Sequence, residues 1–102
     1  MRYFIVATDP LSPDDEKALK NILGAHGAGW WHWLPNFWLV NDPEDKHSTE
    51  ALMNAVHEMN KTARCVILQV EPQTWSALTK PDAQGNAMMD WFGKHWKRPH
   101  VP

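Results

Sequence analysis

One hundred and two residues and 11.8 kDa suffice for one small domain and leave no room for a second independent core. A hydrophobic share of 43% beside 22% charged residues excludes a disordered chain, and no apolar run approaches the ~20 residues of a membrane-spanning helix. Ten basic against twelve acidic residues give a net charge of −2, so no global positive field draws the chain to nucleic acid.

The single cysteine, Cys65, excludes an internal disulfide and cannot build a thiolate-rich zinc site by itself. With no signal peptide expected ahead of the first strand, the expected location is the cytoplasm. Aromatic content sets the chain apart: it has seven tryptophans, four of them between Trp30 and Trp38.

Tyr3-Phe4-Ile5-Val6-Ala7-Thr8 is an apolar run that predicts a strand buried on both faces, stopped by Asp9-Pro10. Ser12 then caps a helix with Pro13 at its first position, and Asp14, Asp15 and Glu16 complement the positive end of the helix dipole. Leu19, Ile22, Leu23 and His26 recur on one stripe, and the glycines at 24, 27 and 29 end the helix near residue 27. Residues 30–34 and 37–41 read as two aromatic strands of a hairpin turning at Pro35-Asn36. After a loop through Asp42-Pro43-Glu44-Asp45, Ser48 caps a second helix with Leu52, Met53, Val56 and Met59 on one stripe. Cys65 to Val70 is the closing strand, ended by Glu71-Pro72.

The order strand, helix, strand, strand, helix, strand predicts an α+β, ferredoxin-like (split βαβ) domain over residues 1–72. Its four-stranded antiparallel sheet carries both helices on one face. Residues 73–102 form an appendage packed on that core or on a partner subunit. Within it Asn86 caps a short helix bearing Met88, Trp91, Phe92 and Trp96, and Lys94, Lys97 and Arg98 form a basic end suited to phosphate.

Simple alternation about Pro35-Asn36 sets Leu34 opposite Phe37, His32 opposite Leu39 and Trp30 opposite Asn41. On the other face Trp33 lies opposite Trp38 and Trp31 opposite Val40. Both hairpin faces are then apolar, and two helices can cover only one. The other calls for a partner subunit, the appendage or a ligand. One reading makes these tryptophans core and dimer interface. The other makes Trp31, Trp33 and Trp38, with His32, an aromatic platform that stacks a base or nucleotide.

Asp9, at the end of the first strand, is the candidate catalytic and metal-binding carboxylate; in a two-fold dimer two copies could meet across the axis. Its alternative role is to accept backbone hydrogen bonds ahead of the Ser12 cap. Of the histidines at 26, 32, 47, 57, 95 and 100, only His95 and His100 fall within the three-to-five spacing of paired metal ligands, so a zinc site would need tertiary convergence. Nucleophile motifs and glycine-rich phosphate loops are absent from the sequence.

These residues carry a resemblance. The strand ending in Asp9, the pair Trp30-Trp31-His32 and Phe37-Trp38-Leu39-Val40, the closing strand and the later Trp75, Leu78 and Asp90-Trp91-Phe92 resemble the SinR-like small bacterial and phage proteins, over about residues 3–96. That family is similar to the CRISPR-associated adaptation subunit of ferredoxin-like fold and to the virulence-associated protein D ribonucleases. The resemblance implies a homodimer joined through sheet faces or edges. In the nuclease relatives an aspartate at the end of the first strand lies near the dimer axis and supports divalent-metal-dependent (Mg) phosphodiester cleavage. Asp9 matches that position, whereas Pro10 and Leu11 add no ligand or base; several members of this fold group serve structurally.

Two expectations of function follow. The first is a homodimer that binds nucleic acid or a nucleotide, whose enzymatic version is a metal-dependent ribonuclease built on Asp9. The second is a non-catalytic sequestering or inhibitor protein of phage or mobile-element type. It would hold a nucleotide or dock on one specific protein through its aromatic surface.

Overall fold

The structure, a computed structural model, describes residues 1–72 and Trp96; of Trp33 only the backbone is described. Six elements follow in order: β1 (Arg2–Thr8), α1 (Pro13–Ala25), β2 (Gly29–Leu34), β3 (Phe37–Asp42), α2 (Thr49–Met59) and β4 (Cys65–Val70). The strands form one antiparallel sheet in the order β2-β3-β1-β4, which with two helices is an α+β, ferredoxin-like arrangement. By internal packing the chain divides into two units, Met1–Val70 and Glu71–Pro102. In the second, Glu71 is exposed while Pro72 and Trp96 are buried. The expected appendage helix, and Lys94, Lys97 and Arg98 with it, lie outside the described residues.

Both helix starts follow from their caps. Ser12 Oγ accepts from the Asp15 amide at 3.1 Å and Ser48 Oγ from the Ala51 amide at 3.0 Å, each satisfying one of the amides that a first turn leaves without a partner. Leu19 and Leu23 of α1 and Leu52 of α2 pack with Phe4, Val6, Trp38 and Val40 into one core, so both helices cover the same sheet face. Of the stripes expected from the sequence, Met53 turns out exposed and His26 stands exposed at the α1 C-cap.

β1 departs from the strand buried on both faces. Only Phe4 and Val6, which point under the helices, are buried, and Tyr3, Ile5 and Ala7 on the far face are half-buried. A parallel sheet would be covered on both sides, whereas in this antiparallel one the helices cover a single face.

The hairpin departs further. Leu34 pairs with Phe37 as expected, but Trp31 pairs with Leu39, Trp30 with Val40 and Gly29 with Asn41. His32 and Trp33 therefore stand opposite the single residue Trp38, a β-bulge. Asn36 at the turn has φ 63, and Pro35 before it has a fixed negative φ. That combination belongs to a type II turn, whose twist mismatches that of the strands it joins, and the ladder shifts within three residues of it. Beyond the bulge every β2 side chain is on the face opposite to simple alternation.

Candidate functional site

The bulge decides where the candidate platform residues go. Trp38 is fully buried under the helices and stacks on His32, with ring centroids 3.7 Å apart and planes within 8°. The His32 Nδ1 faces the Phe37 carbonyl at 2.9 Å and its Nε2 faces Glu16 Oε1 at 3.1 Å. Both ring nitrogens face oxygen acceptors while the ring lies flat on the indole. His32 and Trp38 are thus a tertiary clamp joining β2, β3 and α1. Trp31, paired with Leu39 and Ile5, lies on the opposite face and is also buried. The structure therefore does not bring Trp31 and Trp38 together as one platform.

What the far face does present is a row across the sheet: Val66, Ala7, Phe37 and Leu34, set side by side by the strand registers. Val66 is 60% exposed and Leu34 51%, with Ala7 and Phe37 half-buried between them; Leu68, on the next row of β4, is 51% exposed. Sequence reasoning placed Phe37 beside His32 and gave it no role, because the bulge that separates them was not legible.

At the β4 end of this row lies Asp9. Its carboxylate is taken by Arg64: Nε donates to Oδ2 at 2.9 Å, Nη2 to Oδ1 at 3.0 Å, and the Arg64 amide to Oδ2 at 2.8 Å. The Asp9 amide in turn donates to the Arg64 carbonyl at 2.8 Å. This bidentate fork and the backbone donor hold the Asp9 carboxyl below its usual range, and the carboxylate holds the guanidinium above its own. The partner is therefore not the residues just before the Ser12 cap but the residue preceding β4. The β1–β4 register accounts for it: extending the antiparallel pair Thr8–Cys65 by one step sets Asp9 against Arg64.

A shallow groove lined by Ala7, Thr8, Asp9, Arg64, Cys65 and Val66 runs between the row and the pair. The Arg64 side chain is 88% exposed, and its Nη1 has no partner among the described residues. Cys65 is half-buried, and burial pushes its thiol up, away from the reactive thiolate.

These residues do not fit a divalent ion. Both Asp9 oxygens already accept from Arg64, whose positive charge would oppose a cation, and among the described residues no group of three His, Cys, Asp or Glu could hold one. Among the described residues His26 meets His47 edge-on, with centroids 5.3 Å apart.

His47 belongs to a second polar cluster that sequence reasoning missed. Asp42, fully buried at the end of β3, accepts from the Lys46 amide at 3.1 Å and the His47 amide at 2.8 Å, folding the loop back on itself. Arg2 Nη1 donates to the His47 carbonyl at 2.6 Å. The His47 ring is buried and its Nε2 has no partner; burial pushes its pKa down, and nearby His26 adds to this, against the charge of Asp42.

Among the described residues no helix is long and apolar enough to cross a membrane. Comparison with protein-family models, curated proteins and solved structures finds no match.

Proposed function

We propose that the chain is a homodimeric binding protein that holds a nucleotide, or a short single-stranded stretch of nucleic acid, without catalysing a reaction on it. The observation that carries this reading is the exposed apolar row Val66–Ala7–Phe37–Leu34 ending beside an exposed guanidinium. A base laid on Phe37 and its aliphatic neighbours gains stacking of about 1–3 kcal/mol, which tolerates any base. Arg64 engages Asp9 through Nε and Nη2, which fixes the plane of the fork and leaves Nη1 for a phosphate oxygen. Net charge −2 and the Arg64 guanidinium suit a small ligand better than a long duplex, whose binding uses many phosphate contacts.

The hydrolytic reading, in which Asp9 binds a divalent metal and cleaves RNA, is the weaker one because Arg64 already occupies the carboxylate. In the dimer the two copies meet along β4, an edge strand of the described sheet with Leu68 half exposed.

Native mass spectrometry of gently purified protein tests both parts at once. The expected result is a dimer carrying a nucleotide-sized mass that Arg64→Ala and Phe37→Ala each release while remaining folded. A bare monomer that binds no nucleotide in calorimetry overturns the reading. Metal-dependent RNA cleavage abolished by Asp9→Asn would replace it with the hydrolytic one.

A further inference from the structure

We propose that His32 is a register lock for β2, and that the strand has a second, slipped register in which Trp30 and Trp31 exchange faces. The hydrophobic pattern ordinarily fixes register, because a slip of one residue turns the buried set outward. Here it cannot do so. Trp30 and Trp31 are adjacent and equally bulky, and Val40 and Leu39 opposite them are both apolar and both buried. Slipped by one, without the bulge, Trp31 meets Val40 under the helices, Trp30 comes to the far face opposite Asn41, and His32 faces Leu39. Each arrangement sets one of these two adjacent indoles on each face of the sheet.

What differs is polar and steric. In the observed register His32 points to the helix side, where Glu16 of α1 and the Phe37 carbonyl take its two nitrogens and Trp38 takes its face. In the slipped register the ring leaves all three. Glu16 is the charged group that α1 presents to the ring; from β3 come the neutral indole and a carbonyl, and among the described residues no other ion pair engages His32. At the far end of the strand Gly29 lies against Asn41, where a Cβ would collide with Asn41 Oδ1. Gly29 lets the observed pairing close, and His32 holds the bulge that brings it there. The lock thus decides which indole the open face contains. This inference does not depend on the ligand proposed above.

Cross-strand Hα–Hα and amide contacts read by NMR distinguish the registers directly. The wild type is expected to show Gly29 against Asn41. In His32→Leu the contacts of Asn41 move to Trp30, in whole or as a second set of resonances. Glu16→Ala, at the solvent-facing start of α1, keeps the fold and removes one arm of the lock; exchange broadening confined to residues 29–33 is expected by relaxation dispersion. A folded His32→Leu protein with Gly29 still against Asn41 and no second set overturns the proposal. If that variant does not fold, a Glu16→Ala protein with a single register and no exchange overturns it equally.

Discussion

Replacing Trp38 separates a core role from a binding role and also tests the hydrogen-bond accounting inside the core. The residue is fully buried, and its indole Nε1 is buried without a hydrogen-bond partner. Trp38→Leu removes the ring that stacks on His32 and opens a cavity under α1. Large aromatic truncations cost about 3–5 kcal/mol to Ala, and partial refilling by Leu brings this to roughly 2–4 kcal/mol. For a domain of this size that lowers the melting midpoint by about 10–25 °C. Trp38→Phe keeps an aromatic ring beside His32 and removes the orphan N–H. The lost burial, of the order of two methylenes, is about 1.6 kcal/mol. An unsatisfied buried donor costs about 1–3 kcal/mol, so its removal offsets most of that loss. Trp38→Phe should therefore sit within about 1 kcal/mol of wild type and well above Trp38→Leu. Urea unfolding followed by circular dichroism measures both. Equal and large losses in the two variants would mean that the indole N–H is paired in solution and the orphan argument is wrong. No loss in Trp38→Leu would remove Trp38 from the core altogether.

Asp42→Ala strips two amides of their acceptor in a buried site, and with about 1.5–3 kcal/mol per hydrogen bond to a charged group it should cost at least 2 kcal/mol in urea unfolding. His47, whose folded pKa is depressed by burial, favours the neutral ring in the fold, so the unfolded chain takes up its proton first. Its contribution is complete above the unfolded value of about 6.5, declines as pH falls below it and levels off below the folded value; His47→Gln should flatten that part of a stability–pH profile. Ser12→Ala and Ser48→Ala should each cost about 1 kcal/mol and add when combined, since the two caps share no partner.

The elements were legible because each carries its own start and stop: Ser12-Pro13 and Ser48 for the helices, Asp9-Pro10 and Glu71-Pro72 for the strand ends. The hairpin turn at Pro35-Asn36 was legible for the same reason. Strand faces were not, because face assignment by alternation assumes a continuous ladder and one bulge inverts everything beyond it. Trp30-Trp31-His32-Trp33 does not by itself announce a bulge, and the contact of His32 with Glu16, sixteen residues away in sequence, exists only in the fold. The site was legible only as the residue Asp9. Its partner Arg64, 55 residues on, needs the β1–β4 register, and the burial of Asp42 needs the loop that it organises.

Tryptophan number is therefore a poor measure of binding surface in this chain. Trp38 is buried in the core with Trp30 packed against it, and Trp31 is buried on the other face, so the aromatic abundance of the hairpin goes largely into stability. Among the described residues the surface proposed for a ligand is modest by comparison: a half-buried phenyl ring, a few aliphatic side chains and a guanidinium whose plane is set by an aspartate. Such a surface gains little from electrostatics and much from shape. In the function proposed above the Asp9–Arg64 pair has a positional role, because a fork held by a carboxylate and by its own backbone amide would lose little side-chain freedom to a phosphate oxygen at the remaining nitrogen. On this account the aspartate at the end of β1 serves binding through the arginine it orients.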